Sequence, residues 1–392
     1  MRIAELTVFH VCIPLKKTIT HASHSRTETE SLIVRCRLTD GTEGWGEGLP
    51  RSYVTGETID EVWERLRDTP WATSYGGDWQ PVDWLRQLTT LRPIVLPEDD
   101  RGCYGNSVRC AVELSVLDAI SRASQQSLSQ LIRQFAPAAS LFEAKDRTRY
   151  SAAFTAMSRW KQISRALKLR YYGFSQSKVK LGVEGVNDRT LLRRLRWILG
   201  RQFDLRADVN EAWSCSELER RIQPLLRYGV SSLEQPVPHK EVSQLARFRG
   251  KIGLPLMLDE SLCSEVDARR AIEQGTCDLF NIRLSKCGGL LASLQLAGQA
   301  AEAGLGYQLG CQVGETGILS AAGRHFATSV REIRYLEGSF DRFLVKEPLT
   351  QEDLTFGRGG FAPALTGPGL GITIDARALE RVTIRQSPFR IS

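Results

Sequence analysis

Apolar and polar residues alternate over residues 3–13, 31–38 and 44–48, the pattern of half-buried strands, and Asp40-Gly41 between the last two supplies a tight hairpin turn. Residues 16–30 between the first two strands are polar and read as a loop carrying His21, His24 and Arg26. A second loop, 49–56, follows the hairpin with Arg51 and Tyr53. The period then lengthens. Segments 57–68, 80–91 and 106–135 space their apolar residues as helices do, the last at Val108, Ala111, Val112, Leu114, Leu117 and Ile120. Residues 1–140 therefore read as an α+β domain. From residue 149 short apolar runs alternate with helices, at 150–155, 175–181, 203–210, 230–237, 254–261, 278–284, 305–313 and 332–338. Eight such units within 149–340 predict a compact α/β barrel. The remaining segment, 341–392, is rich in Gly and Pro around 357–371 and strand-like at 372–374 and 382–384; it is expected to return to the first domain.

Composition narrows the picture without naming a chemistry. The chain has 392 residues, 42% hydrophobic and 25% charged, which is ordinary for a soluble protein large enough for more than one core. Glu5 interrupts the only early apolar stretch, and no run is long enough for a membrane-spanning helix, so neither a signal peptide nor a membrane partner is expected. Nine cysteines without a Cys-x-x-Cys pair argue against a disulfide framework or zinc ribbon and favour the cytoplasm. The net charge of +7 is dispersed, and its densest cluster, 191–196, reads as a solvated helix face, so no nucleic-acid partner is expected.

The chemistry emerges at the C-terminal ends of the barrel strands, where such folds build their sites. Strand two ends in Lys178-Val179-Lys180, and alternation puts both lysines on one side. Repulsion between two close ammonium groups lowers the pKa of one toward that of a usable base. Strands three, four and five end in Asp208-Val209-Asn210, Glu234-Gln235-Pro236 and Asp259-Glu260-Ser261. Three acids converging on one mouth repel unless a divalent cation joins them, and all-oxygen ligation favours Mg²⁺, with Mn²⁺ as a substitute. Strand six leads through Arg283 to Lys286, placing a lysine across the barrel from strand two. Glu315 after strand seven reads equally as a substrate contact or a helix cap.

These residues, in this order, resemble the enolase superfamily, and within it the muconate-lactonizing enzyme (muconate cycloisomerase)-like subgroup, over nearly the whole chain. The resemblance implies a modified TIM barrel of (β/α)7β type with an α+β N-terminal capping domain completed by the C-terminal segment. It implies Asp208, Glu234 and Asp259 as Mg²⁺ ligands, Lys180 as base, Lys178 as its pKa-lowering partner and Lys286 as the opposing lysine. The mandelate-racemase subgroup carries a histidine at the end of strand seven, whereas His325 here lies well into the following helix. Two departures bear on the substrate: Arg283 stands where many relatives carry lysine, and the run 310–315 lacks the Asp-x-Asp with which dipeptide epimerases hold an ammonium group.

The expected activity is Mg-dependent abstraction of a proton α to a carboxylate, giving cycloisomerisation, racemisation or epimerisation of a small carboxylate. The enzymatic alternative is β-elimination of the o-succinylbenzoate-synthase or sugar-acid dehydratase kind, and the non-enzymatic one a metal- or ligand-binding module. Arg26, Arg51, Tyr53, Asn210 and Glu315 are the expected substrate contacts, the two N-terminal loops the expected cover, and a homo-oligomer the expected assembly.

Overall fold

A computed structural model describes all residues except 21–24, 97 and 156–157, and the side chains of Thr20 and Ser25 are likewise left undescribed. The cap begins with a long antiparallel hairpin, Ile3–Thr20 against Ser25–Leu38, extended on one side by Glu43–Gly48 and on the other by the C-terminal strand Thr383–Arg390. The polar stretch expected as a loop is therefore mostly strand. Its side chains alternate but lack an apolar face to announce the pairing, and the register slips between Pro14 and Ile19. His21 and His24 fall outside the described residues.

The third strand, Glu-Gly-Trp-Gly-Glu-Gly, shows how locally the packing is written. Its glycines share one face, and a Cβ on Gly44, Gly46 or Gly48 would lie within 2.1 Å of the backbone of the helix Asn106–Ala123. Only glycine permits this backbone-to-backbone approach, and the alternation that turns the glycines to the helix turns Glu47 the other way. That helix ends earlier than the periodicity predicts. Gln125 adopts φ 52°, and Ser127 opens a separate helix, Leu128–Ile132, with a capping box to Gln130. The Ser-x-x-Gln signature was legible but lay inside an unbroken apolar rhythm. The short helix Trp71–Tyr75 was not foreseen.

All eight barrel strands form, ordered in sequence as one parallel sheet: Ala152–Phe154, Gln176–Lys180, Asp204–Asp208, Val230–Glu234, Leu256–Leu258, Leu279–Ile282, Gly306–Leu309 and Ile333–Leu336. The Ser151 N–H donates to the Leu336 carbonyl at 2.7 Å and closes the ring. Helical segments link successive strands, the one after strand four being the 3-10 segment His239–Arg247. Strand eight is followed only by Asp341–Leu344, which gives the (β/α)7β form. The tail then pairs Phe361–Pro363 with Arg147–Arg149 and returns to the cap through Thr383–Arg390; residues 372–374 contribute only an isolated bridge, Thr350 to Ile374. Among the described residues no helix is long and apolar enough to cross a membrane.

Candidate active site

Asp208 and Glu234 are the last residues of their strands, and register places Lys180 beside Asp208 and Asp208 beside Glu234. Asp259 follows the next strand directly. All three carboxylates thus sit at one level, buried to within 1%. Beyond two of them the chain turns sharply: Asn210, Glu211 and Gln235 have φ of 46°, 64° and 36°. A left-handed conformation costs a non-glycine residue about 1 kcal/mol or more and persists only where surroundings enforce it. At Gln235 the side chain does so, its Oε1 accepting the Asp259 and Ser261 N–H groups at 2.9 and 3.2 Å.

The acids are held by cations. Lys178 Nζ lies 3.3 Å from Asp208, 3.2 Å from Glu234 and 2.9 Å from Glu337. Burial works against its charge, but Glu234, Glu337 and Asp208 outweigh it and hold the ammonium well above its ordinary pKa. Lys180, half-buried one step nearer the opening, goes the other way. Its pKa is lowered chiefly by burial; Asp208 opposes this, and the charges of Lys178 and Arg283 reinforce it. The direction matches the sequence reading, but desolvation rather than ammonium repulsion is the larger cause.

Strand six differs from expectation. Lys286 is fully buried, and its ammonium donates to the Asp259 carbonyl at 2.6 Å, to Asp259 Oδ1 at 2.8 Å and to the Asn281 carbonyl at 2.9 Å. An ammonium has three donors, and all three are spent inside the protein. The strand-six group that reaches the acids from the mouth is Arg283, whose side chain is 11% exposed and whose guanidinium bonds Asp259 and stands 3.8 Å from Glu234. Burial opposes the charge of Asp259, yet Arg283, Lys286 and Lys178 together hold its pKa at about 2.

Among the described residues no three His, Cys, Asp or Glu side chains are arranged to hold a metal ion. The physical reason is visible: Arg283 and Lys286 draw Asp259 to themselves while Lys178 draws Asp208 and Glu234. The donor set nevertheless fits a hard divalent cation. It is all oxygen, and Glu234 Oε2 is buried without a hydrogen bond, a costly state that a cation relieves.

The expected substrate contacts separate. Arg26 stacks over the Tyr53 ring at 5.4 Å, and Tyr53 packs against Val54, Cys103 and Cys263. Arg51 is buried and committed elsewhere, donating to the Glu30 and Pro50 carbonyls at 2.9 and 2.8 Å, to Thr29 Oγ1 at 2.9 Å and to the Val313 carbonyl at 3.3 Å. It staples the hairpin to the end of strand seven. Asn210 donates to Glu260 at 3.2 Å, which keeps it in the acidic ring. Glu315 does not cap the helix after it. Its Oε1 accepts the Gln312 N–H at 2.6 Å, and burial pushes its pKa up to about 8. The Gly317–Ser329 helix is capped by Thr316 and, from the cap domain, by Glu47, which accepts from Thr316 N, Thr316 Oγ1 and Leu319 N at 2.9, 2.7 and 3.1 Å. His325 is buried in that helix against the Leu370 carbonyl.

The sequence reading missed Glu337 and Arg206. Glu337 follows strand eight directly, and Arg206 lies two residues before Asp208 on the same strand face; they pair at 3.1 Å beneath the mouth. Strand-end position would have found the first, alternation the second.

A capped eight-stranded barrel whose mouth gathers acids from consecutive strands beside lysines is the framework of a barrel isomerase or lyase. The chain belongs to the enolase superfamily: residues 162–378 match the family described as enolase C-terminal domain-like, MR_MLE_C. It is similar to the N-succinyl-L-Arg/Lys racemase of Bacillus cereus, 26% identical over 397 residues covering all of both chains. The crystal structure of N-succinyl Arg/Lys racemase from Bacillus cereus superposes with a TM-score of 0.87 at 25% identity, again over both chains in full. The hydrophobic dipeptide epimerase of Enterococcus faecalis is 26% identical over 85% of this chain and 89% of its own. Muconate lactonizing enzyme from Pseudomonas fluorescens shares the fold, with a TM-score of 0.84 at 23% identity over 97% and 99% of the two chains. The protein is thus an enzyme, an enolase-superfamily isomerase or lyase related to racemases and epimerases.

Proposed function

We propose that this enzyme removes the proton α to the carboxylate of a small N-acylated amino acid, with Lys180 as base and Mg²⁺ held by Asp208, Glu234 and Asp259. The carrying observation is the contrast inside the Lys-x-Lys pair: Lys178 is locked among three carboxylates, while Lys180, nearer the opening, has its pKa lowered by burial. A base must be neutral before it can take a proton, and a lowered pKa makes the neutral form more accessible. When bound, the metal would supply stabilisation of the negative charge that grows on the carboxylate as the proton leaves.

The chain's own groups divide the remaining work. Lys178 pairs with Asp208 and Glu234, Lys286 and Arg283 hold Asp259 ionised, and Gln235 fixes the spacing of strands four and five. Arg26 and Tyr53, stacked on one another, would meet the distal part of the substrate, and Arg51 holds the hairpin in place. Full-length similarity to a racemase of N-succinylated amino acids supports the acyl-amino-acid class, and the missing Asp-x-Asp after strand seven weighs against a free ammonium. The test is α-proton exchange in D₂O with Mg²⁺, followed by NMR over N-succinyl amino acids, dipeptides and diacids. Exchange in the N-succinyl class, lost in Asp208→Asn, is expected; exchange confined to the dipeptides would overturn the substrate assignment.

A further inference from the structure

We infer that Arg283 is the group facing Lys180 across the bound substrate, and that proton transfer in this enzyme is confined to one face. This deepens the function proposed above and rests on it. Strands two and six are diametrically placed in a ring of eight, so their mouth residues address opposite sides of whatever binds between them. On strand two that residue is Lys180. On strand six it is Arg283, whose side chain keeps 11% exposure, whereas Lys286 keeps none and has every donor engaged by Asp259 and Asn281.

The two faces therefore carry groups of different kinds. A neutral lysine has a lone pair; a guanidinium has five donors and no acceptor and does not release its proton in proteins. On the lysine face the α C–H bond breaks, an N–H bond forms on Lys180, and the electron pair delocalises into the carboxylate. Arg283 cannot return a proton on the other face. Of the two described residues that face each other at the mouth, Lys180 alone can return it, which re-forms C–H with the original configuration. If the substrate carries a leaving group on the β carbon, the same pair expels it instead, and the proton stays on Lys180 until solvent removes it.

The guanidinium contributes charge and geometry. Anchored on Asp259, it presents its remaining N–H groups in a fixed plane to a carboxylate or amide oxygen, and a pre-set positive charge beside the acid ring favours the anion-like state. Racemisation needs a proton donor on each face, and Arg283 supplies none on the face opposite Lys180.

N-Succinylglycine separates the possibilities because its two α hydrogens are mirror-related. In D₂O with Mg²⁺ the protein is expected to exchange one of them at least about 100-fold faster than the other, and to exchange N-succinyl-L-arginine with retention. Arg283→Lys is expected to bring the two rates together and to generate the D isomer. By calorimetry, Arg283→Met, with unchanged circular dichroism, should bind N-succinylglycine about tenfold or more weakly, while Arg283→Lys stays close to the parent protein. Equal exchange of both hydrogens by the parent protein, or undiminished binding by Arg283→Met, overturns the inference and leaves the proposed function standing. No exchange in any N-succinyl compound overturns the function and this inference together.

Discussion

Carboxylates are buried in two parts of this molecule, and they are held in opposite ways. At the barrel mouth Asp208, Glu234, Asp259 and Glu337 pair with ammonium and guanidinium groups; the pKa values of Asp259 and Glu337 are pulled down in spite of burial, while burial and the neighbouring acids push Glu234 up to about 8 against the pull of Lys178. Along the seam between cap and barrel, Glu47 and Glu113 take backbone N–H groups at the starts of barrel helices, and burial pushes both up to about 7. Glu57 does the same for a helix inside the cap. An amide cannot leave its helix, so a carboxylate on amides is a rivet. A side-chain cation can be exchanged for another cation or for substrate, so a carboxylate on cations is poised for chemistry.

The comparison breaks most readily at Lys180. If the mouth is the reactive region, Lys180→Ala removes the base and lowers α-proton exchange by about 10³-fold or more, with thermal stability little changed. Exchange retained within tenfold would mean that another group takes the proton, and the division between the two regions would have to be redrawn.

Lys286 sharpens the contrast, because it lies at the mouth but is bonded like a rivet. Lys286→Met leaves the backbone acceptors at Asp259 and Asn281 and one Asp259 oxygen without their donor. Breaking a buried pair from one side costs about 3–5 kcal/mol, reduced here because Arg283 still holds the other oxygen. A drop in unfolding free energy of about 3 kcal/mol is expected in urea titrations. Unchanged stability with abolished exchange would return Lys286 to the catalytic set.

These outcomes depend on side-chain contacts that the sequence carried only in part. The barrel and its acids were legible because they follow from repetition: eight apolar runs, and one acid at the end of each of three successive strands. Which strand-six cation faces the mouth was not legible, since Arg283 and Lys286 stand three residues apart where the strand gives way to turn and alternation no longer applies. Arg51 misled for a related reason: a polar residue in a polar segment looks available until its donors are counted. The hairpin over 16–30 was hidden because its strands show no apolar face, and pairing alone defines them.

The smallest expected effect concerns the seam and its response to pH. Glu113 accepts the Leu291 N–H at 3.0 Å and lies fully buried; burial raises its pKa from 4.5 to about 7, with Arg109, the Leu291 and Leu290 amides and Arg92 opposing. A carboxyl group whose pKa is higher in the folded than in the unfolded chain binds more protons when folded. Its stabilising contribution is complete below the unfolded value and is lost as pH rises through about 7, the reverse of the usual carboxylate. Glu113→Gln keeps the acceptor oxygen without the charge, so the variant should gain on the parent protein between pH 5 and 7.5 by about 1–3 kcal/mol. Urea unfolding of both proteins at several pH values measures the gap. A gap that stays constant would mean that the seam carboxylate is ionised throughout, neutralised by Arg109 and Arg92, and that the seam is held as the mouth is.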